Sequence, residues 1–174
     1  MGQAEAMIGE IAAMLTAKGK TIATAESTTG GYIGHLLNSV PGSSRYFVGG
    51  VTAYANMPKA KVLRVPQAVL EDAGSVSAQC VLAMAHGVRE LMDTDIGVAE
   101  SGVAGPGGGR GDKPVGTVFM AIVCRDGYEL AERSVFAGGR QAFKEETAEA
   151  VFSLVRHYLA RLEDRAKQQP AAGA

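Results

Sequence analysis

The order of strand-like and helix-like segments is the feature that most constrains how this chain can fold. Apolar side chains recur at helical spacing over residues 3–18, and a short run rich in β-branched residues follows at 21–25. Strand and helix patterns go on alternating as far as residue 99. Because such alternation usually places helices on both faces of one sheet, this order predicts an α/β fold.

The other predicted elements complete that fold. In chain order they are a helix over 32–37, a turn at 41–44, a strand over 46–54 with a bulge at Gly49-Gly50, short helices after Pro58 and Pro66, a longer helix capped by Ser77, a strand over 95–99, a hairpin of strands at 116–124 and 129–136, and a helix over 141–162. The hairpin adds antiparallel strands to the sheet. The prediction is therefore a three-layer α/β/α sandwich with a mixed sheet of about five strands.

Length and composition predict a single domain over residues 1–165 and a disordered tail over 166–174. The 17 basic and 18 acidic side chains leave a net charge of -1 and no basic stripe, which disfavours nucleic acid as a partner. The longest apolar run, at 118–124, is too short to cross a membrane, and no export signal is recognised. We therefore expect a soluble, cytoplasmic protein.

Cys80 and Cys124 lie in apolar stretches and are expected to be buried, reduced thiols.

Three segments are predicted to meet at the carboxyl edge of the sheet, where α/β proteins bind their ligands. The first is Ala-Glu-Ser-Thr-Thr-Gly-Gly at 25–31, between a strand and a helix. Ser27 would be exposed there, and the backbone N–H groups that follow it would be free to stabilise an oxyanion. The alternative is that Ser27 or Thr28 only caps the helix.

The second segment, at 54–59, carries Tyr54 and Lys59 where a strand ends and a helix begins. Burial would lower the pKa of a lysine at this place and make its amine a usable general base for a hydroxyl nucleophile. Tyr54 could then relay or orient a proton. The alternative for Lys59 and Lys61 is that both lie on a solvated helix face.

The third segment, at 101–116, is rich in glycine and also carries Arg110 and Lys113. Glycines let backbone N–H groups approach a ligand closely, and the two cations add positive charge, a combination that suits a phosphate. The alternative is a merely flexible loop.

Other chemistries find less support in the sequence. The three histidines, at 35, 86 and 157, show no metal-ligand spacing with the cysteines or with paired carboxylates, so no metal is predicted. Neither Gly-x-Ser-x-Gly nor Ser-x-x-Lys occurs. If a serine acts as the nucleophile, its base is therefore expected to be a lysine distant in sequence.

Taken together, these segments resemble the C-terminal domain of the competence/damage-inducible CinA family, over about residues 21–162. The resemblance rests on short motifs at 25–31, 41–44, 54–59, 74–77, 102–108, 113–116 and 138–140. They read Ala-Glu-Ser-x-Thr-Gly-Gly, Pro-Gly-Ser-Ser, Tyr-x-Asn-x-x-Lys, Gly-Ser-Val-Ser, Gly-Val-Ala-Gly-Pro-Gly-Gly, Lys-Pro-Val-Gly and Gly-x-Arg.

The resemblance implies an amidohydrolase that converts nicotinamide mononucleotide to nicotinic acid mononucleotide and ammonia, in NAD recycling. By their match to family motifs, Ser27 would attack the amide carbon, and Lys59 and Tyr54 would take and relay its proton. The implied substrate-binding residues come from the same motifs and are Thr28, Gly30, Gly31, Ser101, Gly102, Gly105, Gly107, Gly108 and Arg140. The resemblance also implies a homodimer, no metal and no organic cofactor.

The chain departs from the family pattern near this predicted site. Thr28 stands where cysteine is common, Ser101 where threonine is usual, and Gly139 where aspartate is common. Asn-Met-Pro at 56–58 replaces a more polar stretch, and its proline removes one backbone donor beside the predicted base. Two other functions therefore stay open: a non-catalytic nucleotide-binding or regulatory domain, and a hydrolase of another amide.

Overall fold

A five-stranded mixed sheet forms the centre of the chain, and helices cover both of its faces. The computed structural model describes residues 3–168. The helices are Gln3–Ala17 (α1), Tyr32–Asn38 (α2), Asn56–Lys61 (α3), Gln67–Asp72 (α4), Ala78–Leu91 (α5) and Arg140–Gln168 (α6). The strands are Ile22–Glu26 (β1), Phe47–Thr52 (β2), Ile96–Gly102 (β3), Thr117–Cys124 (β4) and Glu129–Val135 (β5).

The strands lie in the order β2-β1-β3-β4-β5. Strand β1 pairs in parallel with β2 and β3, whereas β3 with β4 and β4 with β5 form antiparallel pairs. This arrangement confirms the predicted mixed sheet and α/β/α sandwich. It also places the carboxyl ends of β1 and β3 side by side at the centre of the sheet. The residues that follow these two strands therefore meet at one edge.

Alternation of side chains along the strands decides which helices each face accepts. Large apolar residues such as Ile22 and Ile96 point to the face covered by α1, α2 and α6. Smaller side chains such as Ala99 lie on the opposite face, under α5. At Gly97 there is no room even for a Cβ, since one built there would collide with the Ala85 carbonyl of α5. Helix α5 therefore packs very close to the sheet.

Ser77 caps α5, as the sequence predicted. Its Oγ accepts a hydrogen bond from the backbone N–H of Cys80 at 3.2 Å and donates one to the Gly74 carbonyl at 2.7 Å.

Cys80 and Cys124 are both free and buried, which confirms the prediction made for them. Burial raises the pKa of both thiols, that of Cys124 to about 12. Neither thiol is therefore a ready nucleophile.

The region around β2 differs from the prediction in two respects. The irregularity in the strand falls at Val48 and not at Gly49-Gly50, because the register with β1 skips Val48. The strand also ends at Thr52, so Tyr54, which was predicted to end a strand, lies in the loop that follows. The predicted turn before β2 contains a 3-10 turn at Ser43–Arg45.

The last helix is longer than predicted. Helix α6 runs through Gln168, so residues 166–168 are helical and do not belong to a disordered tail. Basic side chains in its last turn, Arg165 and Lys167, favour this extension because they interact well with the carbonyl end of a helix. The rest of the predicted tail, 169–174, lies outside the described residues. Within residues 3–168, no helix is both long and apolar enough to cross a membrane.

Asp95 joins the starts of β1 and β3. Its Oδ2 accepts hydrogen bonds from the backbone N–H and the hydroxyl of Thr21, both at 3.0 Å, and its Oδ1 lies 3.1 Å from the Lys20 ammonium. Burial alone would raise the pKa of Asp95, but these bonds outweigh burial and hold the pKa below its usual range. The ionised carboxylate therefore stabilises the folded sheet.

We expect Asp95→Asn to lower the free energy of unfolding by about 1–3 kcal/mol near neutral pH, because an amide cannot accept all of these bonds. Since the folded-state pKa lies below the unfolded one, the stabilisation is complete above the unfolded pKa of about 3.9 and is lost as the pH falls through the folded value. Urea unfolding near neutral pH and near pH 3 measures the effect. The gap between the two proteins should narrow in acid, and a constant gap would contradict the assignment.

Candidate active site

Ser27 follows β1 directly and is only 5% exposed. It does not cap the next helix. The N-cap residue of α2 is Gly31, with a φ of 99° that favours glycine, and the side chain that accepts hydrogen bonds from the first N–H groups of this helix is that of Glu26. The capping alternative for Ser27 and Thr28 is therefore wrong for α2, and the Ser27 hydroxyl has other partners.

Lys59 reaches Ser27 from α3. Its Nζ lies 3.0 Å from Ser27 Oγ and 3.1 Å from Ser101 Oγ, and the residue is 2% exposed. The alternative of a solvated helix face is therefore wrong for Lys59, although Lys61 is indeed exposed. The structure brings the predicted nucleophile and the predicted base into direct contact.

Burial controls the protonation of Lys59. Desolvation of the ammonium lowers the pKa of Lys59, while the nearby Cys80 thiol and Glu100 carboxyl oppose this effect and are outweighed. A neutral amine has a lone pair that can accept the Ser27 proton. Distance and burial thus both suit Lys59 to act as a general base.

The same three residues, Ala-Glu-Ser, occur at the carboxyl ends of β1 and β3, at 25–27 and at 99–101. Because these parallel strands pair in register at their alanines, the two glutamates lie side by side and so do the two serines. Ser101 is 1% exposed, and its hydroxyl contacts Lys59. Sequence reasoning assigned Ser101 to substrate binding, and in the structure its hydroxyl contacts the Lys59 amine.

Glu100, which sequence reasoning missed, holds the turn that carries Ser27. Its side chain is fully buried. It accepts hydrogen bonds from the backbone N–H of Ser27 at 2.5 Å, the backbone N–H of Thr29 at 2.9 Å and the hydroxyl of Thr28 at 2.5 Å. The Thr28 hydroxyl therefore serves as a partner for Glu100.

Glu26, also missed, holds the start of α2 in a similar way. It is 2% exposed and accepts hydrogen bonds from the backbone N–H groups of Gly31 at 2.9 Å, Ile33 at 3.0 Å and Gly34 at 2.8 Å. The signal that could have found both residues is a carboxylate at the end of a strand that is otherwise apolar or small. That signal occurs twice in this sequence.

The two carboxyls occupy backbone groups that the sequence predicted to be free for an oxyanion. The N–H groups of Ser27, Thr29 and Gly31 are already bonded to them. The N–H groups of Thr28 and Gly30 are not bonded to either carboxyl. The carboxyls therefore leave only these two N–H groups, among residues 27–31, as candidate donors to an oxyanion.

Tyr54 is not brought to Ser27 or Lys59. It is 62% exposed, and its hydroxyl accepts a hydrogen bond from Arg140 Nη2 at 2.7 Å. The reason is that β2 ends two residues earlier, so the chain turns outward before it enters α3. A proton relay through Tyr54 would require its hydroxyl to leave Arg140.

The glycine-rich segment forms a rim beside the site. Backbone hydrogen bonds at 2.8 and 2.9 Å join Arg110 and Lys113 and close a tight turn within it. The Lys113 ammonium donates to the Ala73 carbonyl at 3.1 Å and holds the rim to the chain between α4 and α5. Residues 106–111, 114 and 115 line an open depression of about 420 Å³, which includes the predicted binding residues Gly107 and Gly108.

Two cations at the start of α6 lie next to these segments. Arg140 Nη1 donates to the Gly105 carbonyl at 3.2 Å. Lys144, which sequence reasoning missed, has its Nζ 3.7 Å from where a Cβ on Gly30 would be. Arg140 and Lys144 are four residues apart in one helix, and this spacing, which puts them on one face, could have indicated the pair. They provide positive charge near the Ser27 turn.

Among residues 3–168, no group of three or more histidine, cysteine, aspartate or glutamate side chains is arranged to hold a metal ion. The polar groups gathered here are instead two serines, a buried lysine and two buried glutamates. Such a set suits proton transfer to and from a hydroxyl nucleophile.

The sequence matches known proteins over nearly its whole length. A CinA-like protein of Syntrophotalea carbinolica is 42% identical over 158 residues, which are 91% of this chain and 38% of that protein. A CinA-like protein of Salinibacter ruber is 46% identical over 156 residues, 89% of this chain and 37% of that protein. The chain thus spans less than half the length of these curated relatives.

Solved structures show the same fold. The competence/damage inducible protein CihA of Agrobacterium tumefaciens superposes with a TM-score of 0.88 at 34% identity, over 90% of this chain and 96% of that one. A CinA superfamily protein of Klebsiella pneumoniae gives a TM-score of 0.87 at 31% identity, over 91% and 98%. The sequence profile described as the CinA C-terminal domain matches residues 4–159. This chain therefore belongs to the CinA C-terminal domain family.

Proposed function

We propose that this chain is an amidohydrolase that converts nicotinamide mononucleotide to nicotinic acid mononucleotide and ammonia, with Ser27 as nucleophile and Lys59 as base. The observation that carries the proposal is the buried Lys59 amine, 3.0 Å from the Ser27 hydroxyl. Family membership supports the amidase class. The cations at the start of α6 fit a substrate that bears a phosphate.

In the first half of the reaction, the neutral Lys59 amine takes the proton of the Ser27 hydroxyl as Oγ bonds to the amide carbon. The carbonyl electron pair moves onto oxygen and gives a tetrahedral oxyanion. Lys59, now an ammonium, gives its proton to the amide nitrogen. The carbon–nitrogen bond breaks, ammonia leaves, and Ser27 is left as an ester of nicotinic acid mononucleotide.

In the second half, water replaces Ser27 on the acyl carbon. Lys59 takes a proton from water, the resulting hydroxide attacks the ester carbon, and the intermediate collapses to release the acid. The proton held by Lys59 returns to Ser27 Oγ. Through its own hydrogen bond at 3.1 Å, Ser101 holds Lys59 Nζ in place while the Ser27 oxygen is bonded to substrate.

We place the phosphoribosyl part of the substrate toward the rim formed by the glycine-rich segment and the first turn of α6. Arg140 already bridges Tyr54 and Gly105 there. The Lys144 amine beside Gly30 adds a second cation. An arginine and a lysine together are common partners of a phosphate group.

An assay of ammonia release from nicotinamide mononucleotide tests this function. We expect ammonia and nicotinic acid mononucleotide in equal amounts, and a lower kcat/KM for nicotinamide, which lacks the phosphoribosyl group. Faster turnover of another amide would favour a hydrolase with a different substrate. Tight mononucleotide binding by calorimetry with no product over hours would favour the non-catalytic domain. The sequence-level support for that alternative was Pro58, yet Lys59 reaches Ser27 with Pro58 in α3.

We expect Arg140→Gln to raise KM for nicotinamide mononucleotide about tenfold and to change kcat by less, because the amide loses a charged contact worth about 1–2 kcal/mol. Steady-state kinetics at low and moderate salt measures the effect, which should shrink as salt screens the phosphate. Arg156→Gln is the matched control, since Arg156 is exposed farther along α6. Equal KM values for both variants would show that Arg140 does not bind the substrate.

The homodimer and the cytoplasmic location stay predictions. Light scattering of the purified chain across a concentration series decides the first, since a dimer has twice the mass of the chain, 18.0 kDa. Neither prediction is needed for the chemistry proposed at Ser27.

A further inference from the structure

Two buried carboxyls and two threonine hydroxyls make three close oxygen–oxygen contacts beneath the Ser27 turn. Thr28 Oγ1 lies 2.5 Å from Glu100 Oε2. Thr29 Oγ1 lies 2.8 Å from Glu100 Oε1 and 2.7 Å from Glu26 Oε2. Each contact needs a hydrogen between its two oxygens, because bare oxygens at this distance repel each other. Each threonine hydroxyl supplies only one hydrogen, so the two hydroxyls leave one contact without a hydrogen.

We infer that Glu26 and Glu100 together hold one additional proton, shared along the line from Glu100 through the Thr29 hydroxyl to Glu26. With this proton every contact is a hydrogen bond. Without it, two negative carboxylates would lie buried side by side with one repulsive contact between oxygens. Buried acidic pairs at such distances commonly share a proton for this reason.

Glu100 is the member of the pair that carries the proton. Glu26 accepts three backbone N–H groups in addition to the Thr29 contact, whereas Glu100 accepts two. Glu100 is 0% exposed, and its pKa is raised, because burial outweighs its hydrogen bonds from Thr28, Thr29 and Ser27. The Thr29 hydroxyl then donates to Glu26 and accepts from Glu100.

The shared proton has a consequence for Lys59 that rests on the proposed function. The charged or titratable groups that act on Lys59 are Glu100 from β3 and Cys80 from α5, and both favour the ammonium form when they are negative. The pKa of the Cys80 thiol is raised by burial, so the thiol stays neutral. A protonated Glu100 removes the other negative charge, which leaves Lys59 free to be a neutral base. Glu100 is thus a positioning residue that orients the Ser27 turn without placing a negative charge near Lys59.

Infrared spectroscopy of the purified chain without ligand tests the proton directly. Near pH 8, where exposed carboxyls are ionised, the wild-type protein should show the C=O band of a protonated carboxyl, and carbon-13 labelling of glutamate should shift it. Glu100→Gln should lose one such band. Glu71→Gln, at an exposed glutamate on α4, should keep it. No glutamate band in the wild-type protein, or an unchanged band in Glu100→Gln, would overturn the inference.

The Gln variant is expected to fold, because Glu100 Oε1 accepts the backbone N–H groups whereas Oε2 contacts only a rotatable hydroxyl. An amide can keep its oxygen at the first place and its NH₂ at the second, and the Thr29 hydroxyl, which then receives no hydrogen from position 100, donates to the amide oxygen or to Glu26 but not to both. If Glu100→Gln nevertheless unfolds, the wild-type protein labelled with carbon-13 glutamate tests the inference alone. Its band of a protonated glutamate carboxyl must then persist above neutral pH.

Kinetics adds a readout that a purely structural role would not affect. If Glu100 is neutral in the active enzyme, Glu100→Gln should leave the acid limb of the kcat/KM pH profile unmoved. An ionised Glu100 would instead make that limb move to lower pH in the variant, which would contradict the inference. Should the chain show no amidase activity, the infrared result still stands, so failure of the proposed function and failure of the shared proton can be told apart.

Discussion

Replacing Ser27 with alanine is expected to reduce ammonia release from nicotinamide mononucleotide by at least about a thousandfold in kcat/KM. The variant keeps Lys59 and the turn held by Glu100, so the loss reports the missing nucleophile and not a collapsed site. The alanine also removes only one oxygen from a position that is 5% exposed. Its affinity for the mononucleotide, measured by calorimetry, should change little.

Ser44→Ala is the control for this variant, because Ser44 is exposed in the 3-10 turn before β2, which adjoins the start of β1, whereas Ser27 follows the end of β1. It should behave as the wild-type protein does in both the ammonia assay and the calorimetry. Equal rates of ammonia release from Ser27→Ala and from the wild-type protein would remove Ser27 from the mechanism. Loss of binding together with activity would instead show that the substitution disturbs the pocket.

The second large effect is expected for Lys59→Met, which should lose activity to a similar extent and at the same time become more stable. Methionine fills the space of the lysine stem without a group that is costly to bury. We expect a gain of about 1–2 kcal/mol in the free energy of unfolding near neutral pH, after the loss of the two serine contacts is subtracted. Lys61→Met, two residues along and exposed, should change neither property.

The pH dependence of this gain has a definite sign. The folded-state pKa of Lys59 lies below its unfolded value of about 10.4, so between these two values the unfolded chain binds more protons. Wild-type stability should therefore rise with pH across that window, and Lys59→Met should lack this rise. The advantage of the variant is then largest at and below the folded pKa and shrinks in alkali. If Lys59→Met is less stable than the wild-type protein at every pH, burial of the Lys59 ammonium does not cost the folded protein stability, and the prediction is wrong.

The same lowered pKa predicts the pH profile of the wild-type reaction. A neutral amine is the active form, so kcat/KM should rise with pH through the folded-state pKa of Lys59. A flat profile from mildly acidic to alkaline pH would show that Lys59 is not the base. This measurement needs no variant and can be made on the first active preparation.

The sequence predicted the fold because strands and helices leave local patterns. Period-two and helical spacing of apolar residues, the Ser77 cap and the Asp126-Gly127 turn all depend on neighbours within a few positions. The errors arose where tertiary contacts decide. The register of β2 against β1 placed the irregularity at Val48. The extent of α6 could not be taken from the pattern that ended at residue 162.

In the candidate site, too, local sequence patterns predicted some features and only tertiary contacts decided the others. Motifs in the sequence indicated Ser27 and Lys59, but both were equally compatible with a cap and with a solvated face. The exposed fractions of Ser27 and Lys59 and the distance between them decided against the cap and the solvated face. No local sequence pattern contains these two quantities. Tyr54 shows the reverse case, since its motif matched the family while the end of β2 at Thr52 left its side chain 62% exposed.

By itself, the sequence determined the α/β class, and it indicated Ser27 as a candidate nucleophile and a distant lysine as its candidate base, because residue chemistry and local periodicity can be taken directly from the sequence. Only the tertiary structure decided that the two Ala-Glu-Ser segments, at the carboxyl ends of β1 and β3, lie in register. That pairing places the two serines side by side, and α3 brings Lys59 into contact with both. The physical reason is that desolvation and hydrogen-bond geometry depend on which residues are neighbours in space, and the packing of the helices on the sheet sets those neighbours.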